Sequence, residues 1–312
     1  MIGQRLKTLI RILLGITILF WIFYRIGFGR IADSLMHLNL WAVPLAAVCF
    51  VLYLFFSSLG SWVLLRPFSR LALSEFLPCF LSSWAIGLFL PGKLGEASIV
   101  YFLKKKDLSI GIGTAFFVVG KTVTILGLGL IAATGFFTFF VFRVGLQLFL
   151  ILLLLIAVFF FMLLSDFGKR VIRKVFPRKI QEMFTGFLSA FSDYFKAHKG
   201  KIGLSLIFKL AAISCVAVMN SFIFAVGLDV RIAVYKILQV NAMETFSALI
   251  PISINGLGVR QALGIYLFGR LGVEAPLVAS SQIVGWVLIY IFGVVSLLFR
   301  LGPVDPPSQV DL

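Results

Sequence analysis

The sequence is poor in charged residues and in the residue types that carry catalysis. Of its 312 residues only 13% are charged. Only two residues are histidines, His37 and His198, and they lie too far apart in sequence for metal-ligand spacing. Cys49, Cys79 and Cys215 all lie in apolar runs, which suits buried thiols better than a disulfide framework. We find no Ser-His-Asp constellation, no paired carboxylates and no phosphate-binding loop. The sequence therefore predicts neither an enzyme nor a metal or cofactor site.

Apolar residues dominate instead. The chain is 61% hydrophobic and 15% aromatic, with a mean hydropathy of +1.10, whereas soluble domains are roughly 45–50% apolar. This composition predicts an all-α polytopic membrane protein, with residues 1–302 as a single transmembrane domain and 303–312 as a short cytoplasmic tail. The net charge of +16 is attributed to membrane topology, and nucleic-acid binding is not expected.

Six apolar runs are long enough to cross the membrane, which takes about 20 residues. They cover residues 9–28, 40–65, 109–136, 145–164, 202–227 and 276–300. Two further segments, 74–103 and 235–269, each consist of an apolar half, a proline and glycine interruption, and a shorter apolar half. This pattern is typical of broken-helix hairpins that enter and leave the membrane on one side.

The distribution of basic residues predicts the orientation of these segments. With both termini in the cytoplasm, the cytoplasmic face collects three times as many Lys and Arg residues as the opposite face. The first hairpin then enters from the cytoplasm and the second from the outside. The predicted architecture is about six full spans and two re-entrant hairpins in an inverted repeat.

One polar segment, residues 166–199, is predicted to leave the bilayer core. Its apolar side chains recur at helical spacing after Pro177 and include Tyr194. This pattern predicts an amphipathic helix at about residues 178–198, in the cytoplasmic interface. A linker helix packed on the protein is the alternative.

The first interruption contains Pro91, Gly92 and Gly95 as hinge residues, together with Lys93 and Glu96. A charged side chain at the bilayer centre costs about 2.5–3.5 kcal/mol, so each needs a partner, a wet cavity or a function. If a half-helix starts at the glycines, its free N–H groups would bind an anion such as a lipid phosphate. An internal Lys93–Glu96 pair that only stabilises the turn is the alternative.

The second interruption has the same character. Its notable residues are Pro251, Asn255, Gly256, Gly258, Arg260 and Gln261. Arg260 is the best phosphate candidate, because its planar fork holds two oxygens and stays charged when buried. Glu244 is its expected countercharge, and a purely structural ion pair between the two is the alternative. Lys121 either faces the cavity or extends to the cytoplasmic edge. The predicted substrate-binding residues are Lys93, Glu96, Lys121, Glu244, Asn255, Arg260 and Gln261.

The two interruptions also carry a family resemblance. "LPGKLGEA" (90–97) and "IPISINGLGVRQA" (250–262) resemble motifs of the lysylphosphatidylglycerol synthetase membrane-domain family, a flippase-like family. The resemblance covers nearly the whole chain and implies a polytopic protein of the bacterial or archaeal cytoplasmic membrane. The second family motif usually ends in Arg-Glu, where this chain has Arg260 and Gln261. We expect a stand-alone member without the aminoacyl-transfer domain, and therefore no lysine transfer to lipid.

These observations predict translocation of a phospholipid or lipid-linked anionic headgroup through a polar cavity in mid-membrane. The expected partners are membrane lipids. The alternative is a non-transporting membrane partner that anchors or regulates a lipid or cell-envelope synthesis enzyme through its basic interfacial helix. A third hypothesis, an intramembrane lipid-modifying enzyme, lacks a catalytic constellation.

Overall fold

The described part of the chain consists of helices and short connections. The computed structural model describes residues 2–89, 91–164, 194, 197–248 and 256–298. These residues form α-helices, one 3-10 turn and one π turn, with no strand among them. The predicted all-α class is confirmed.

Eleven α-helices follow one another in these described ranges. In the first half they are α1 (Ile2–Ile26), α2 (Phe28–Met36), α3 (Ala42–Leu65), α4 (Leu73–Phe89), α5 (Ile99–Lys104), α6 (Ile110–Phe139) and α7 (Phe142–Leu164). In the second half they are α8 (Lys199–Phe222), α9 (Val234–Ser247), α10 (Val259–Gly269) and α11 (Ala275–Leu298). The 3-10 turn Pro91–Ser98 joins α4 to α5, and the π turn Ile223–Gly227 extends α8.

Four of the described helices are long and apolar enough to cross a membrane. They are α3, α6, α8 with its π turn, and α11. They match four of the six predicted spans and establish a multi-pass membrane protein. In α7, the described apolar stretch is the shorter Phe142–Leu154, so the predicted span 145–164 is matched only in part.

The first predicted span is interrupted near its end. Gly27 adopts φ +99°, a conformation that favours glycine, and α2 turns away from α1 by 78°. The span predicted over residues 9–28 therefore lies mostly in α1 and ends at this bend, and its described residues pass as a span only together with α2. α2 packs against α11.

α3 and α8 form the most extensive helix pair among the described elements. They approach closely at Gly60, where an added Cβ would lie 3.2 Å from the Ser205 carbonyl oxygen and 3.1 Å from Phe208 Cβ. Phe56 and Phe208 stack beside this contact, with 6.4 Å between ring centroids. A small residue at position 60 thus sets the spacing of the central pair.

Each predicted hairpin packs on the span that follows the other hairpin. α4 contacts α11 where Gly293 faces Leu88, and α9 contacts α6 where Gly135 faces Met243. At both places an added Cβ would lie 2.7 Å from the facing side chain. Each hairpin is therefore packed against the half of the chain that contains the other hairpin.

Most of the predicted interfacial helix lies outside the described residues. Tyr194, a member of its apolar stripe, is buried and donates a hydrogen bond to the Leu64 carbonyl oxygen at 2.9 Å. Its ring stacks on Phe68 with 5.3 Å between centroids. Burial raises the pKa of this phenol, which therefore stays a hydrogen-bond donor. This residue packs on the protein, as the linker alternative expects.

Candidate functional site

The first interruption forms a 3-10 turn, Pro91–Ser98, which contains the predicted hinge residues Pro91, Gly92 and Gly95. The α-helix resumes only at Ile99, and α5 is six residues long. The condition that an α-helical half starts at the glycines is therefore not met, since the chain returns through tighter 3-10 turns that lead into α5. The predicted anion site at that helix N-terminus is accordingly not supported in the first hairpin.

Close backbone packing holds this turn against α4. A Cβ at Gly95 would lie 2.6 Å from the Gly87 nitrogen, so only glycine fits there. The Ser83 hydroxyl donates to the Glu96 carbonyl oxygen at 2.6 Å, and the Ser98 hydroxyl donates to Ser83 Oγ at 3.2 Å. These contacts fix the backbone of Glu96 and therefore aim its side chain.

The Glu96 carboxylate forms an ion pair with the Lys121 ammonium group of α6. Lys121 therefore faces inward, and the alternative that it extends to the cytoplasmic edge does not apply. The pair is partly buried, with 20% of the Glu96 side chain and 36% of the Lys121 side chain exposed. The Lys93 side chain lies outside the described part, so the predicted Lys93–Glu96 pair stays a prediction.

The second interruption ends in two glycines with left-handed backbone. Gly256 has φ +71° and Gly258 has φ +81°, conformations that other residues rarely adopt. α10 begins directly afterwards at Val259, and the Gln261 side chain accepts a hydrogen bond from the Gly258 N–H at 2.5 Å. Gln261 thus caps the helix that carries Arg260. The predicted residues Pro251 and Asn255 lie outside the described residues.

Arg260 lies at the start of α10 and has no direct anionic partner among the described side chains. Its Nε is buried without a hydrogen-bond partner. Glu244 is close enough for its charge to interact with that of Arg260, as predicted, yet these two side chains form no ion pair. The Glu244 carboxylate is buried and instead accepts a hydrogen bond from Gln282 Nε2 at 3.1 Å. The guanidinium therefore keeps donors available for a ligand.

Both hairpins border one cavity of about 700 Å³. Glu96 of the first hairpin and Arg260 and Gln261 of the second line it, together with Lys121 and Lys209. The remaining wall is mostly aromatic or small: it includes Phe50, Tyr53, Phe80, Trp84, Phe116, Phe117, Trp286 and Tyr290, and the serines Ser57, Ser61 and Ser83. This size suits a small polar group, since ligand pockets typically enclose about 300–1,000 Å³.

One lining residue, Lys209 of α8, was not among the predicted site residues. It is buried, and its ammonium group donates to the Ser57 carbonyl oxygen at 2.8 Å and to Ser61 Oγ at 2.8 Å. Sequence offered one signal, because Lys209 is the only charged residue in the apolar run 202–227. No sequence pattern identifies its partners on α3, Ser57 and Ser61.

The predicted site residues thus separate into three groups. Glu96, Lys121, Arg260 and Gln261 line the shared cavity, and the charge of the buried Glu244 interacts with that of Arg260. Lys93 and Asn255 lie outside what can be described. The described residues also contain no group of His, Cys, Asp and Glu suited to a metal ion.

The arrangement belongs to a multi-pass helical membrane protein with a charged cavity between two broken hairpins. Its sequence matches the model of the lysylphosphatidylglycerol synthase TM region over residues 8–296. The chain therefore belongs to that family, a membrane domain related to lipid handling. No curated protein matches the chain closely enough to count as a relative.

Proposed function

We propose that this protein moves a phospholipid or lipid-linked anionic headgroup across the membrane through the cavity between its hairpins. The observation that carries this proposal is Arg260, a partly buried cation that lines the cavity, has a buried Nε without a hydrogen-bond partner, and forms no ion pair among the described residues. A guanidinium can hold two phosphate oxygens at once, so a phosphate would satisfy its donors. Membership of a lipid-handling family supports the same conclusion.

The cavity explains why such a protein tolerates ionic side chains in its interior. A polar headgroup crosses the bilayer readily only if protein groups replace its hydration. Glu96, Lys121, Arg260 and Gln261 provide such groups, and aromatic side chains form much of the remaining wall. The acyl chains would stay in the lipid during this movement.

We further propose that the two hairpins belong to an inverted repeat. The exchange of contacts supports this relation, since α4 packs on α11 and α9 packs on α6. With both termini in the cytoplasm, the hairpins enter from opposite faces of the cytoplasmic membrane. Rocking of one half against the other would then expose the cavity to each leaflet in turn.

The test is headgroup movement in reconstituted vesicles that contain a fluorescent acyl-labelled phosphatidylglycerol. We expect Arg260→Ala to lower the rate at least about a hundredfold, because it removes the guanidinium that would hold the phosphate. Arg270→Ala is the matched control, since Arg270 caps the far end of α10 and is exposed. Wild-type rates in folded Arg260→Ala protein would refute the proposal.

A further inference from the structure

Lys209 connects the two central helices of the molecule at the cavity wall. Its ammonium group on α8 reaches three oxygen atoms of α3: the Ser57 carbonyl oxygen at 2.8 Å, Ser57 Oγ at 3.2 Å and Ser61 Oγ at 2.8 Å. Only 6% of the residue is exposed, and it borders the same cavity as Arg260. It is the most buried of the described lysine and arginine side chains that line the cavity.

These contacts fit the charged form of the lysine. An ammonium group has three donors and no acceptor, and three oxygens surround it. The Ser61 hydroxyl already donates its own hydrogen to the Ser57 carbonyl oxygen at 2.9 Å, so Ser61 Oγ acts as an acceptor toward Lys209. The Phe80 ring, whose centroid lies 5.7 Å from Nζ, also favours a cation.

No carboxylate forms an ion pair with Lys209 in the described part of the chain. Glu96 is already paired with Lys121, and Glu244 accepts from Gln282 near Arg260. The described lining residues therefore include three cations, Lys121, Lys209 and Arg260, and one anion, Glu96, and the cations still outnumber the anions when Glu244 near Arg260 is counted. An occupant with a net negative charge would correct this imbalance, whereas a cationic occupant would increase it.

We propose that Lys209 makes the cavity select lipid headgroups with a net negative charge. This selection rests on the proposed function and specifies its substrate class. Phosphatidylglycerol, with one phosphate and no amine, is favoured over phosphatidylethanolamine, whose ammonium group balances its phosphate. Lysylphosphatidylglycerol is the least favoured, because its two ammonium groups outnumber its phosphate. The cargo of this chain thus differs in charge from the aminoacylated lipid for which its family is named.

The experiment compares these three lipids as acyl-labelled probes in vesicles with wild-type protein and with Lys209→Gln. Gln keeps a hydrogen-bond donor near Ser57 and Ser61 but removes the charge. We expect the rate ratio of phosphatidylglycerol to phosphatidylethanolamine to fall about tenfold in Lys209→Gln. Lys209→Arg, which keeps the charge, should restore the preference, and Lys199→Met on the exposed end of the same helix should leave it unchanged.

Competitive binding of the same lipids, measured by native mass spectrometry in detergent, separates the possible failures. If wild-type protein prefers phosphatidylglycerol in binding but moves no lipid, the proposed function fails and charge selection stands. If Lys209→Gln slows or weakens all three lipids equally, Lys209 is only a structural link and the inference is overturned. Equal wild-type binding of all three lipids would overturn it as well.

Discussion

Among the described charged residues that line the cavity, the one in the first hairpin, Glu96, is paired, whereas the one in the second, Arg260, has no direct ion pair. Glu96 forms an ion pair with Lys121 and its backbone is fixed by Ser83. Arg260 has a buried Nε without a partner, although its helix is capped by Gln261. The charge of Glu96 in the first hairpin therefore serves a structural contact, whereas the charge of Arg260 in the second is available to an occupant of the cavity.

The two hairpins also differ in what surrounds their glycines. At Gly95 an added Cβ would meet the backbone of Ile86 and Gly87, which cannot move without distorting α4. At Gly264 it would meet the side chains of Glu244 and Gln282, which can rotate away. Rigid backbone contact thus belongs to the first hairpin and adjustable side-chain contact to the second.

The largest expected effect tests this difference in packing. We expect Gly95→Ala to destabilise the protein by about 3 kcal/mol, because the backbone atoms that the new methyl group contacts cannot move aside. Gly264→Ala should cost about 1 kcal/mol, because the facing side chains can change rotamer. The measurement is thermal unfolding of the purified protein in detergent.

Gly203→Ala on α8 is the matched control, since nothing lies within 4 Å of its Cβ position. Alanine should stabilise that helix slightly, by up to about 1 kcal/mol. If Gly95→Ala and Gly264→Ala shift the unfolding temperature equally, the first hairpin is not the more rigid one.

The next effect concerns the ion pair itself. Glu96→Gln and Lys121→Met should each destabilise the protein by about 2 kcal/mol, less than a fully buried pair because both groups are partly exposed. The double variant should recover most of that loss, since it leaves no uncompensated charge. Arg260→Ala, by contrast, should cost less than about 1 kcal/mol, because no direct ion pair is broken and only the longer-range attraction between Arg260 and Glu244 is lost.

A double-mutant cycle on thermal stability measures this coupling. Strictly additive losses for Glu96 and Lys121 would show that their contact contributes nothing. A large loss of stability in Arg260→Ala would show that the second hairpin also depends on its charge for folding, and the contrast between the hairpins would disappear.

Much of this arrangement was predictable because it depends on local sequence. Apolar length identified the spans α3, α6, α8 and α11, and proline and glycine identified both interruptions. The high cost of intramembrane charge singled out Glu96 and Arg260, and both line the cavity. Family motifs pointed to the same two segments, and the family match agrees with them.

What could not be predicted depends on packing between distant segments. Lys209 and Ser57 are 152 positions apart, and only the α3–α8 contact brings them together. The pairing of Glu96 with Lys121 required the direction in which α6 passes the first hairpin. The 78° turn at Gly27, where the first predicted span ends, could not be predicted because it depends on a single backbone angle.

The substitution with the smallest expected effect, Gln261→Glu, makes the second hairpin more like the first. An alignment that places Ala97 on Ala262 also places Glu96 on Gln261, so Gln261→Glu gives both hairpins a carboxylate at the same position. The new carboxylate can still accept from the Gly258 N–H and suits a helix N-terminus, so stability should be kept. Gln261→Ala, which removes the cap, should cost about 1 kcal/mol.

In vesicles, Gln261→Glu should slow phosphatidylglycerol movement severalfold, because a second anion would compete with phosphate for the cations of the cavity. Faster movement in Gln261→Glu would mean that the amide in this chain, and not the charge of Arg260, limits headgroup passage.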